Sequence, residues 1–138
     1  MNITQIPFNK YIEILQPDKN YEVLGLDFKD NLKNHIGTFH ASAQFALAEA
    51  CSGLALQKLF PHLANTVIPV LRKSDTKFKK PAQSNIVGRA IIAEEVVDKF
   101  NLQFEKKGRS SIVVNVEIRD ENDTITMIGT FDWFVQKI

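Results

Sequence analysis

The seventeen residues from Ala41 to Gln57, ASAQFALAEACSGLALQ, contain a single charged side chain, Glu49. Small residues alternate there with Phe45, Leu47, Leu54 and Leu56 around the circumference of a helix, and a helix that is apolar on every side has to be buried. Pro61 lacks an amide hydrogen and disfavours helical geometry in the residue before it, so this helix is expected to stop at Phe60. The most apolar part, Ala41 to Leu56, is interrupted by Gln44 and Glu49 and is shorter than the ~20 residues that cross a bilayer. The spacing therefore predicts a core helix, and the rest of the 138-residue chain has to wrap it.

Nothing in the composition argues against a folded protein. The 44% hydrophobic and 24% charged fractions match soluble globular chains and disfavour disorder, collagen-like repeats and disulfide scaffolds. No internal repeat or linker is visible, which predicts a single domain over 1–138. Seventeen basic against sixteen acidic residues leave a formal charge of +1, too little to expect nucleic acid or an anionic membrane as the main partner. Cys51 is the single cysteine, which excludes an intramolecular disulfide and suits a reducing compartment. The start, MNITQIPFNKYIEIL, has no basic segment followed by a continuous apolar core, so no secretory signal is read and a cytoplasmic location is expected.

Along the chain, Phe8 to Leu15 predicts a short helix with Phe8, Tyr11, Ile12 and Leu15 on one face, ended by Pro17 and packed as a lid or flank. Tyr21 to Phe28 alternates as a strand, with Leu24 and Leu26 on one side. After the long helix come strands over Thr66–Leu71 and Asn85–Ala93, separated by a charged stretch through Lys80 and by Pro81. Glu94 to Lys107 reads as a helix, with Val96, Val97, Phe100 and Phe104 at helical spacing and Gly108 as its stop. Ser111–Arg119 and Thr124–Val135 flank the turn sequence DEND and predict an antiparallel hairpin. The sum is an α+β fold in which one curved antiparallel sheet wraps a central helix. The outer face of such a sheet needs cover of its own, so a homodimer is expected, by sheets edge to edge or by helices meeting.

An isolated carboxylate in an apolar helix must be neutralised, paired, hydrogen-bonded or open to a functional cavity, which makes Glu49 the first candidate for chemistry. Burial would raise its pKa toward neutrality, as a general base or carboxylate nucleophile requires. A structural pairing, for example with Arg89, and simple exposure are the competing readings. Ahead of the helix, Asn34, His35, Gly37, Thr38 and His40 form a polar turn. The amide near Ala41 is a candidate donor to a developing oxyanion, and capping by Thr38 or His40 is the alternative. Ser42, Cys51 and Ser52 lie in no nucleophile elbow, and Cys51 is read as packing. His35, His40 and His62 show no metal-ligand spacing, so no metal is expected, and the glycines form no nucleotide-binding loop, so no cofactor is expected. Arg72, Lys73, Lys77, Lys79 and Lys80 form one basic group, and Lys106, Lys107 and Arg109 another. Both are solvated faces or, at the rim of a cavity, charges for phosphates.

Asn34, Gly37, His40 and Glu49, spaced N-x-x-G-x-x-H followed nine residues later by the acid, resemble the active-site segment of hotdog-fold acyl-CoA thioesterases of the phenylacetate (PaaI-like) type. The His-Gly-Gly element of that family is His40-Ala41-Ser42 here, and Glu stands where many members have Asp. In this respect the chain is most similar to an uncharacterised branch with Glu in the central helix. The resemblance implies a hotdog fold and a dimer, or a dimer of dimers, with an acyl-CoA across the subunit interface. Glu49 would activate water or attack the thioester carbonyl, Ala41 N–H would polarise that carbonyl, and Asn34 and His40 would position the thioester or the water. Gly37, Ser42, Lys79, Lys80 and Arg109 would contact the substrate, and pocket length would depend on Phe39, Phe45, Leu47, Phe78 and the N-terminal segment. Ser52, one turn after Glu49, would orient the carboxylate by its spacing. Two further readings stay open: a hotdog hydroxyacyl dehydratase using His35 with Glu49, and a module that binds an acyl chain without turnover.

Overall fold

A computed structural model describes residues 1–18 and 23–138. Besides 3-10 turns at Ile3–Gln5, Asp30–Leu32 and Pro61–Leu63, the elements in chain order are α1 (Pro7–Tyr11), β1 (Val23–Leu26), α2 (Ala41–Leu59), β2 (Val67–Phe78), β3 (Ile86–Ile91), α3 (Glu94–Lys107), β4 (Arg109–Arg119) and β5 (Ile125–Lys137). The five strands form one antiparallel sheet in the order β1-β3-β4-β5-β2. Helix α2 lies against its inner face. Leu47 and Leu54 of α2 meet a floor built of Leu24, Ile86, Val114, Ile118, Met127 and Phe131, all buried. Gly88 lets helix and sheet approach closely, since a Cβ there would lie 2.7 Å from Cys51 Sγ.

Alternation does most of the specification in the sheet. In β4, Ser110, Ile112, Val114, Val116 and Ile118 are buried while Ser111, Val113 and Asn115 face out. The β4–β5 turn is closed by Asp120, whose carboxylate accepts from the Asn122 and Thr124 amides at 2.9 and 3.0 Å, as turn aspartates do. Helix α3 carries Glu94 and Glu95 in its first turn and Lys106 and Lys107 in its last, matching the helix dipole. Gly108 ends it in the left-handed region at φ 68°. Phe100 of α3 is buried with its ring 4.4 Å from Phe60 beyond the end of α2.

The central helix, α3 and the final hairpin thus form where the sequence places them, and the fold is the expected α+β arrangement. Three elements differ. The charged residues 72–77 do not separate strands but lie within β2, a single twelve-residue edge strand with a bulge between Leu71 and Lys73. An edge strand is wet along one side and tolerates charges that a central strand would bury. Helix α1 is short, and its expected apolar face is split: Phe8 and Tyr11 are 60% and 83% exposed, Ile12 and Leu15 are half-buried, and Asn9 within the helix and Ile14 beyond it are buried. Asn9 is satisfied by donating to the Ile3 carbonyl at 2.9 Å, and the chain leaves the helix at Ile12, before Pro17. Of the strand expected over Tyr21–Phe28, β1 forms Val23–Leu26 with Leu24 and Leu26 buried, and Tyr21 and Glu22 lie outside the described residues. On the outer face of the sheet, Val70, Val87, Ile91, Val113 and Ile128 are exposed.

Candidate active site

The turn ahead of α2 is organised by one side chain. The Asn34 carboxamide oxygen accepts from the Ile36 and Thr38 amides, each at 3.0 Å, and its nitrogen donates to Thr38 Oγ1 and the Phe39 carbonyl at 2.8 and 3.3 Å. Gly37 turns the chain at φ 79°, a region that only glycine enters freely. Phe39 N–H donates to the Ala82 carbonyl at 2.9 Å, which ties the turn to the segment after Pro81. Asn34 therefore shapes the loop, and both ends of its carboxamide are engaged inside it.

His40 caps α2: its Nδ1 accepts from Ser42 N–H at 2.9 Å. An accepting Nδ1 places the proton of the neutral ring on Nε2, which faces outward because His40 is exposed. The capping reading of this turn is thus correct for His40, while Thr38 takes its place in the Asn34 network. Ala41, exposed at the first helical position, has no acceptor for its amide among the described residues, as the first turn of a helix leaves its donors.

Glu49 lies two turns further on. It is half-buried, makes no ion pair among the described residues, and burial pushes its carboxyl above its ordinary value. Arg89, its candidate structural partner, is exposed on β3. Among the described residues the acid is therefore neither neutralised by a cation nor in bulk water. Glu49, Phe45 and Ser42 follow one stripe of the helix, the first two half-buried and Ser42, nearest its N-terminus, exposed.

Ser52 has a different role from the one its spacing suggested. It is fully buried, donates to the Glu49 backbone carbonyl at 2.6 Å and accepts from Trp133 Nε1 at 2.9 Å. The serine thus pins the helix backbone at Glu49 to β5 without touching the carboxylate. Trp133 is eighty-one residues away, so no local pattern could have revealed the bond. Gln44, in the first turns of α2, is anchored likewise by Thr126 Oγ1 at 2.7 Å. The Thr126 carbonyl accepts from the Lys79 and Lys80 amides at 2.8 and 3.3 Å, which holds this exposed pair beside the N-terminal end of α2. Arg109 starts β4 opposite Gln136, at the other end of the sheet, so one copy of the chain does not unite it with Lys79 and Lys80.

Of the side chains expected to set pocket length, Phe39 and Leu47 are sealed in the core, while Phe45 is half-buried and Phe78 exposed. Cys51 is buried, and burial pushes its thiol up to about 12, the protonated state of a packing cysteine. Ser74 went unremarked in the sequence. Its Oγ is the one buried side-chain polar atom without a hydrogen-bond partner among the described residues. It stands opposite Phe131 on the edge strand, and the Phe131 ring lies 5.5 Å from that of Phe45, one turn before Glu49. No group of His, Cys, Asp and Glu able to hold a metal occurs among the described residues. No helix among them is long and apolar enough to cross a membrane.

Several solved structures share this architecture. A protein of unknown function from Pseudomonas aeruginosa, named "Probable Thioesterase", superposes with a TM-score of 0.83 at 18% identity over 99% of this chain and 91% of its own. A thioesterase from Haemophilus influenzae gives 0.71 at 15% identity, covering 98% and 86%. A Bacillus halodurans protein solved with CoA gives 0.71 at 16% identity, covering 93% and 74%. At such identities the likeness shows the fold, which is the hotdog fold. A search of the curated proteins found no match. Residues 8–135 match the family described as "Domain of unknown function (DUF4442)", and the chain, a hotdog-fold protein, belongs to that family.

Proposed function

We propose that the chain hydrolyses an acyl-CoA thioester with Glu49 as its general base. The observation that carries this reading is the carboxylate itself, half-buried, without a cation among the described residues and raised in pKa by burial, on the central helix of a fold shared with proteins named thioesterases. In the step envisaged, Glu49 takes a proton from water as the water oxygen bonds to the thioester carbonyl carbon. The carbonyl oxygen becomes an oxyanion, the C–S bond then breaks, and the departing thiolate receives the proton from Glu49. Direct attack by the carboxylate on the same carbon is the variant of this route.

Geometry argues for two copies. Ala41 and Glu49 are eight residues apart, ~12 Å along one helix, too far for both to touch one thioester. A second copy whose α2 runs the other way would bring the partner's Ala41 amide to the carbonyl beside Glu49. The uncovered edge of β2, the twelve-residue strand at the border of the sheet, is where such a copy would extend the sheet, and the apolar outer face offers a surface for a dimer of dimers. The partner's His40, through its outward Nε2–H, would help hold the carbonyl, with Gly37 and Ser42 shaping that end. Lys79 and Lys80 beside the same helix end would meet CoA phosphates as point charges. Arg109 would contribute there only from another copy. The reading requires no metal and no cofactor.

The test is thiol release from short, aryl and long acyl-CoAs by the wild type, Glu49→Gln and Glu49→Ala. Turnover by the wild type that both variants lose is expected. Turnover that survives both substitutions contradicts the mechanism, and tight acyl binding with no wild-type turnover identifies a binding module. Reversible hydration of an enoyl thioester in place of thiol release would identify a dehydratase.

A further inference from the structure

Strand β2 changes phase in its middle. Leu71 stands opposite Trp133 and Ser74 opposite Phe131. Partners across an antiparallel pair share a face, so both point inward with the buried Trp133 and Phe131. On a regular strand, whose period is two, residues three apart lie on opposite faces. The bulge between Leu71 and Lys73 supplies the extra residue. Arg72 and Lys73 both stay exposed, Arg72 with its guanidinium 5.2 Å from the Phe134 ring. Without the bulge Lys73 would point inward and Ser74 outward, and bulges are a known means of re-aiming a side chain.

The region that Ser74 enters is the one Glu49 faces. Cys51 of α2 meets β3 at Gly88, and Ser52, ~100° further round the helix, reaches β5 at Trp133. Glu49 stands ~60° beyond Ser52 in the same sense, on the side of β2, which follows β5 at the border of the sheet. Along the helix Glu49 lies between Phe45, whose ring meets Phe131, and Ser52, which meets Trp133. The residues of β2 opposite those two aromatics are Ser74 and Leu71, so the carboxylate and the re-aimed hydroxyl occupy one level of the fold.

Ser74 Oγ is buried and has no hydrogen-bond partner among the described residues. A buried hydroxyl left unpaired is costly, and such an atom calls for a role or for a partner from outside the chain. We infer that Ser74 is a catalytic residue that holds the attacking water jointly with Glu49. The inference rests on the hydrolytic role of Glu49. One hydrogen of the water points to the Glu49 carboxylate, which takes it, and the other is accepted by Ser74 Oγ. A lone pair of the water oxygen is thereby turned to the thioester carbonyl carbon. The serine keeps its own proton and forms no bond to the substrate, and the proton on Glu49 passes to the departing thiolate. Ser52 cannot take this part, because its hydroxyl is engaged by the Glu49 backbone carbonyl and Trp133 Nε1.

Thiol release from the acyl-CoA that the wild type cleaves fastest is to be measured for Ser74→Ala, Ser74→Thr and Ser74→Val. Ser74→Ala should stay folded, keep its KM and lose kcat by roughly 10- to 100-fold, as misplacement of a reacting group does. Ser74→Thr returns the hydroxyl on a branched side chain suited to a strand and should keep kcat within about fivefold of the wild type, whereas its near-isostere Ser74→Val should fall with alanine. A Ser74→Ala kcat within about twofold of the wild type overturns the inference, since no reacting group was then misplaced. A threonine variant no faster than the valine one overturns it as well. A crystal structure of the wild type gives a readout that needs no turnover. It should show a water within hydrogen-bond distance of both Ser74 Oγ and the Glu49 carboxylate, and Ser74→Ala should lose it. A protein group of either copy on Ser74 Oγ, or no shared water, overturns the inference. If the wild type releases no thiol, the hydrolytic reading has failed, and the water site stands or falls on that structure alone.

Discussion

The two ends of α2 are built on opposite principles. At the N-terminal end, hydrogen bonds decide the shape: Asn34 closes the turn, His40 caps the helix, and Gln44 is tied to β5 through Thr126. At the C-terminal end, apolar contacts decide it, with the Phe60 ring on Phe100 and a hollow lined by Leu56, Leu63 and Val67. Polar groups held by directional bonds can present an amide or an imidazole in a fixed orientation, whereas an apolar hollow can accept a range of chains without orienting any. Glu49 stands between these regions, desolvated enough to be perturbed and still within reach of water. The difference teaches that the N-terminal end of α2 is fixed by directional bonds and its C-terminal end by packing alone.

The largest effect that would break this picture concerns the acid. Glu49→Gln is expected to lower kcat about 10²- to 10⁴-fold, as loss of a general base does. The same variant should be more stable than the wild type near neutral pH, because it removes a carboxylate whose ionisation the folded state resists. The sign follows from the raised pKa: the folded protein holds its proton longer than the unfolded chain, so wild-type stability falls as pH rises from the ordinary carboxylate range through the folded value. The Tm advantage of Glu49→Gln should therefore grow across that window and vanish below it.

Next in size is Ser52→Ala, expected to destabilise by about 1–3 kcal/mol by leaving the buried Trp133 N–H unpaired. Chemical denaturation checks it, and the near-ultraviolet signal of the lone tryptophan reports whether the indole has shifted. His40→Ala removes the cap and should cost about 1 kcal/mol, and it should also weaken turnover more than that loss explains. Ser74→Ala sharpens the contrast between the two serines. Its hydroxyl has no hydrogen-bond partner among the described residues, so removal should change stability by less than about 0.5 kcal/mol. A large loss in denaturant would show that the hydroxyl is bonded after all.

How legible the molecule was in its sequence follows from how local each signal is. The apolar run around Glu49, the DEND turn and the Gly108 stop are local, and each produced the element it implied. The strand through 72–77 was hidden because edge strands keep charges that mask alternation. The burial of Asn9 in place of Phe8 and Tyr11 was hidden because its carboxamide is satisfied by the Ile3 carbonyl, a bond that no hydrophobic pattern announces. At the site, Glu49 and the turn from Asn34 to His40 were visible as residue types at a known spacing. The indole behind Ser52 and the lone hydroxyl of Ser74 depend on strand register and contacts from distant segments. The cavity between Leu56 and Val135 likewise unites residues seventy-nine positions apart.

The claim on which the account turns is that a desolvated Glu49 takes the proton during thioester cleavage. It is tested most directly by the pH dependence of kcat/KM for the wild type, with Glu49→Gln and its folded state measured alongside. The account predicts an acid limb whose midpoint is displaced above the ordinary range of glutamate, and a Gln variant that is folded, nearly inactive and without that limb. A profile with the same limb and comparable rates in both proteins would contradict it.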